Sequence, residues 1–123
     1  LRNAWIDSLL ECKKYETALP IIEKELISSR LKSSWKLRRA KAYIGIGKIN
    51  DAMDDLRMCL KELDQRIHPK KPDMTLIADR GMVNALLGNI EAAKNDLSHL
   101  IHIGAEKWVT IHLNKAISLM ENQ

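Results

Sequence analysis

The sequence predicts an all-α protein whose helices come in stacked pairs, and three features carry that expectation. Five glycines and three prolines in 123 residues leave few interruptions, while 46% hydrophobic and 29% charged residues exclude collagen-like and disordered chains. The stretches between those breakers read as helices with one buried side. One apolar face then occurs three times. Aligned on Ala18, Ala52 and Ala93, the chain has Tyr15, Ile49 and Ile90 three residues earlier, and Ile22, Leu56 and Leu97 four later. Leu26, Leu60 and Ile101 follow eight later.

Taken in order, the first pair is expected near 2–13 and 16–29, with Lys13 in the turn and Pro20 close to the start of its second helix, where a missing donor costs least. The second pair, near 33–46 and 49–66, turns at Gly47, and the third, near 74–87 and 90–103, turns at Gly88. Ala52 follows Ala18 by 34 residues, but Ala93 follows Ala52 by 41. The surplus belongs to His68-Pro69-Lys70-Lys71-Pro72-Asp73, where two prolines remove backbone donors, disfavour helix in the residues before them and predict a long loop. Ser33, Asn50, Asp73 and Asn89 are expected as N-caps, since their side chains accept from first-turn N–H groups. A seventh helix, Glu106 to Met120, gathers Trp108, Ile111, Leu113, Ala116, Ile117 and Met120 on a broad face. It suits a lid with a polar exterior over the end of the stack, or the first half of a fourth pair if the parent chain continues.

A 34-residue unit of two helices with small residues at their crossing resembles the tetratricopeptide repeat (TPR) family. Ala40, Tyr43, Gly47, Ala52 and Leu56 carry the match in the second unit, and Gly81, Gly88, Ala93 and Leu97 in the third. The first keeps Tyr15, Ala18 and Ile22 but departs at Ile6 and Leu9. The resemblance covers about residues 2–104. It implies a right-handed superhelix of three helix-turn-helix repeats plus a C-terminal capping helix, as one domain over 1–123. Its parts would be repeat one at about 1–30, repeat two at about 33–66, the loop at 67–73, repeat three at about 74–104 and the cap at 105–122.

The same resemblance implies a non-catalytic protein–protein interaction scaffold that receives a peptide or protein surface in a concave groove lined by the first helix of each pair. In that register the candidate partner-binding residues are Asn3, Asp7, Arg38, Lys41, Asp79 and Met82. Family members that clamp the C-terminal carboxylates of chaperone tails use Lys, Asn and Arg where this chain has Asn3, Asp7, Arg38, Thr75 and Asp79. That clamp is absent here.

Net charge is +4, and the cations cluster: Arg30, Lys32, Lys36, Arg38, Arg39, Lys41 and Lys48 occur with no acid between them. A solvated helix surface, partly answered by Asp51, Asp54, Asp55, Glu62 and Asp64 in the following helix, is the plainer reading. The functional one is a site for an acidic segment, with Arg38 and Lys41 as its cations. Nucleic acid is disfavoured, because only Trp35 and Tyr43 accompany those cations and both suit packing between helices. The alternative function is architectural: an uncovered apolar side of the first helix would drive a homodimer or pack against the rest of a larger protein, with weak nucleic-acid binding as a third choice.

No chemistry is indicated. Cys12 and Cys59, 47 residues apart, form no zinc or disulfide pattern, lack an identifiable base and are expected in the core of a cytoplasmic, reducing-compartment protein. His99 and His102 are three apart but lack the further ligands a metal needs. With no phosphate-binding or hydrolase motif, the expectation is no enzyme activity, no cofactor and no metal. The longest apolar run is far below the ~20 residues of a membrane span, so no membrane insertion is expected. The chain opens on Leu1 rather than Met, which predicts a piece of a longer protein.

Overall fold

The structure, a computed structural model, describes residues 2–30 and 32–122, so Leu1 and the expectation attached to it lie outside the described residues. Among the described residues it is all-helical: α1 (Arg2–Glu11), α2 (Tyr15–Ser28), α3 (Lys32–Gly45), α4 (Ile49–Arg66), α5 (Met74–Leu87), α6 (Ile90–His102) and α7 (Lys107–Glu121). They form two compact units whose boundary falls inside α4, after Cys59.

The turns show why the helices stop where they do. A helix end leaves carbonyls without partners, and one residue in the left-handed region lets the following N–H groups turn back to them. Gly47 (φ 84°) donates to Ile44 O while Lys48 donates to Tyr43 O; Gly88 (φ 86°) and Asn89 repeat this on Ala85 and Asn84. Lys13 (φ 61°) and Lys14 do the same on Leu10 and Leu9, although lysine has the Cβ that makes this backbone costly. Gly104 (φ 83°) and Ala105 repeat it once more between α6 and α7.

Helix starts are less uniform. Asp73 caps α5 as expected, its carboxylate accepting from Thr75 N and Leu76 N. The other three expected caps are corrected. Ser33 and Asn50 already lie inside α3 and α4, and Asn89, though at the α6 N-cap, instead donates through Nδ2 to Asn84 Oδ1 (3.1 Å). Pro20 lies beyond the first turn of α2, on its exposed side. Between α4 and α5 the chain is not helical: His68 and Lys71 form an isolated bridge, and His68 Nδ1 accepts from Lys70 N.

In the first unit α1, α2 and α3 close on Ile6, Leu10, Ile22, Leu26 and Trp35. Ala18, Ala40, Ala42 and Ala52 are wholly buried, and their small side chains let backbones approach. The Tyr15 ring lies where a Cβ on Gly45 would be. Cys59 sits in this interior with its thiol donating to Ser33 O (3.2 Å), whereas Cys12 is exposed in the α1–α2 turn, contrary to the core position expected of it.

In the second unit α5, α6 and α7 pack round Ile77, Ala93, Leu100, Leu113 and Ile117. A Cβ on Gly81 would come within 2.7 Å of Leu113 Cδ2, so the glycine is what admits α7 this close to α5. That approach sets the roll of α7. Leu113 and Ile117 are buried with Val109, Ala116 and Met120 beside them, while Trp108 and Ile111 turn out to solvent at 69% and 64% exposure. The expected single broad face is therefore divided. The expected polar exterior is corrected as well, because Leu119 is also exposed.

Candidate functional site

The basic run of α3 separates by helical geometry, since neighbours on a helix point about 100° apart. Arg39 turns to α4 and forks onto Asp55, with Nε and Nη2 each 2.7 Å from a carboxylate oxygen. Two parallel charge-assisted bonds are the strong form of this pair. Its guanidinium also lies over the Tyr43 ring, 5.7 Å from the centroid. The bond to Asp55 raises the Arg39 pKa above its ordinary value against the opposing effect of burial, and Glu23 adds to it through charge. Burial holds the Tyr43 hydroxyl above its ordinary pKa, with Arg39 pulling the other way.

Arg38 turns to α1. Its Nε donates to Asp7 Oδ1 (2.9 Å), Nη2 reaches Asp7 Oδ2 (3.4 Å), Nη1 donates to Ser34 Oγ, and the guanidinium lies 4.8 Å from the Trp35 centroid. Trp35 belongs to the core, so the cation roofs a buried aromatic. The Arg38 side chain is only 13% exposed, against 51% for Asp7. An anion approaching Arg38 must therefore displace Asp7 or share its donors.

Of the candidate residues, the structure brings Asp7 and Arg38 into contact. Asn3 is exposed one turn before Asp7 on α1, and Lys41 is half-buried one turn after Arg38 on α3, so these four follow one α1/α3 face of the first unit. Asp79 and Met82 are half-buried on α5, three residues apart, and Thr75 is exposed on the same helix. Neither Lys41 nor Asp79 is without an interaction of its own.

The second unit repeats the electrostatics of the first. Arg80 binds Asp96 through Nη2 (2.8 Å) and Nε (3.1 Å), and its Nη1 donates to Asp64 (3.2 Å). These bonds, that to Asp96 foremost, raise its pKa. Asp96, like Asp55, is nearly buried. Each arginine thus has an acid 16 residues before it and another 16 after: Glu23, Arg39, Asp55 and Asp64, Arg80, Asp96. The spacing was readable in the sequence as a signal for these pairs. Arg38–Asp7, across 31 residues, had none.

Around Arg80 lies an open depression of about 320 Å³ lined by Leu60, Asp64, Asn84, Ala92, Asn95 and Asp96. One guanidinium against two carboxylates leaves it acidic. His99 and His102 are exposed in the last turn of α6. Among the described residues no group of three or more His, Cys, Asp or Glu is arranged to hold a metal ion, and no helix is long and apolar enough to cross a membrane. Comparison of the chain with protein-family models, curated proteins and solved structures finds no match.

Proposed function

We propose that this chain is a non-catalytic protein-interaction module, a TPR-like stack of three helix-turn-helix repeats in a right-handed superhelix, which receives a peptide or protein segment on the face of its first helices. One observation carries the reading. The left-handed turn at Lys13, Gly47 and Gly88, and the Arg39–Asp55 and Arg80–Asp96 pairs, which hold the same places about Ala52 and Ala93, recur from pair to pair, as expected of copies of one unit. Stacked copies hold a continuous row of side chains for a ligand.

In this reading Asn3, Asp7, Arg38 and Lys41 meet the ligand together, with Asp79 and Met82 as further contacts. Because Asp7 already occupies Arg38, an acidic segment binds by exchanging with it. Titrating the intact chain with a fluorescent Asp/Glu-rich peptide tests this: Asp7→Asn should strengthen binding about tenfold and Arg38→Ala abolish the gain. No change in either variant removes the acidic-segment reading.

A second reading, self-association, draws on Trp5 and Ile27, which are exposed on α1 and α2 of the first unit. Light scattering over a dilution series decides it, since a persistent dimer that Trp5→Ser dissociates supports it and a monomer rules it out.

A further inference from the structure

We propose that the outward side of α7 is a docking surface for an acidic amphipathic helix of a partner protein. The proposal does not rest on the groove reading, because every residue it uses lies in α6, in α7 or in the turn between them. With Leu113 and Ile117 facing the interior, the opposite side of α7 carries Trp108, Ile111, Lys115 and Leu119, which follow one another at three or four residues. That row is about 16 Å long, three turns of helix. Trp108, Ile111 and Leu119 are 60–69% exposed along it. A helix that served only to close a stack would present polar residues there.

The row continues onto α6. Lys94 Nζ pairs with Glu121 (2.8 Å), which sets α6 and α7 side by side. Two turns on from Lys94 is Ile101, itself 62% exposed, and two turns back from Glu121 is Asn114, next to the Ile111 end of the row.

Charge identifies the occupant. The lysines of α7, Lys107 and Lys115, are both exposed, with Lys115 within the row and Lys107 flanking it. The acids at its two ends are engaged inside the molecule: Glu106 accepts from Trp108 Nε1 and Glu121 binds Lys94. An incoming helix with aliphatic residues at i, i+3 or i+4 and i+7 fits the apolar row, and carboxylates beside them reach Lys107 and Lys115. A second copy fits worse, because two-fold pairing of this side brings the lysines of the two copies, Lys115 at the middle of the row above all, against one another. An anionic lipid surface also fits worse, because it is held by a polybasic cluster of four or more cations and this side of α7 has two lysines.

The probe is an 18-residue helical peptide with leucines on one face and glutamates flanking them, titrated into the intact chain beside a version with lysine for glutamate. The glutamate peptide should bind at least tenfold more tightly than the lysine peptide, with a blue shift of tryptophan fluorescence that Trp108→Phe removes. Lys115→Glu should reverse the peptide preference while leaving the circular dichroism spectrum unchanged, and Leu119→Ser should weaken both peptides. Equal binding of the two peptides overturns the proposal. So does binding that responds to Asp7→Asn and not to Lys115→Glu, which places the peptide on the α1/α3 face instead. Two further results also overturn it: a dimer that Lys115→Glu alters in the absence of peptide, and capture by phosphatidylserine vesicles with no binding of the glutamate peptide.

Discussion

Asp55 and Asp96 are nearly buried carboxylates, and each depends on one arginine from the neighbouring helix. Removing the partner of a buried charge leaves it uncompensated, at a typical loss of about 3–5 kcal/mol, whereas replacing both members by apolar residues is often neutral. Arg39→Ala should therefore lower stability by about 3 kcal/mol, and Asp55→Leu in the same chain should recover most of it, as read by urea unfolding. Arg39→Lys should not rescue the loss, because an ammonium lacks the fork that reaches both oxygens. Tyr43, beside this pair, brings a pH dependence. Its hydroxyl pKa is raised by burial, so its contribution is complete below the unfolded value of about 10 and is lost as pH rises through the folded one. Tyr43→Phe should flatten the fall in the urea midpoint above about pH 10. An unaltered slope would show that the phenol does not drive it. At this scale the sequence pointed to the acids of α4 as partners for the basic run, and Arg39–Asp55 is such a pair. Arg38–Asp7 was hidden, because nothing local relates residues 31 apart.

The helices themselves were the most legible level, since the repeat is written in residues that act locally. Gly47 and Gly88 mark their turns because left-handed backbone penalises any Cβ, and Lys13 occupies the same conformation against that penalty. The three sites make opposite predictions. Gly47→Ala and Gly88→Ala should each cost about 1 kcal/mol, while Lys13→Gly should stabilise by up to about 1 kcal/mol. Thermal melts of the three single variants check this, and a loss at Lys13→Gly would contradict the strain argument. Capping was less legible. A cap works only at the residue just before helical dihedrals begin, and α3 and α4 begin at Lys32 and Ile49, so Ser33 and Asn50 are already inside their helices. The loop after α4 was clear from Pro69 and Pro72, two prolines three residues apart, each removing a donor and disfavouring helix in the residue before it.

At the scale of the whole molecule, packing partners decide which side of each helix remains for function. α7 lies against Gly81, and that contact selects Leu113 for the interior and Trp108 for the surface. Leu113→Ala should cost about 2–5 kcal/mol through the cavity it leaves, and Gly81→Ala about 1–3 kcal/mol through overpacking. Their double variant should lose less than the sum, because the new methyl enters space the leucine vacated. Strict additivity in a double-mutant cycle would mean that the two side chains do not share that space. The sequence by itself determined the all-α class, the number and approximate limits of the helices, and the turns, because helix period, proline and left-handed glycine act over a few residues. Only tertiary structure decided the roll of α7, the capture of Arg38 by Asp7 and the exposure of Cys12. Each of these depends on which distant side chain fills the neighbouring space.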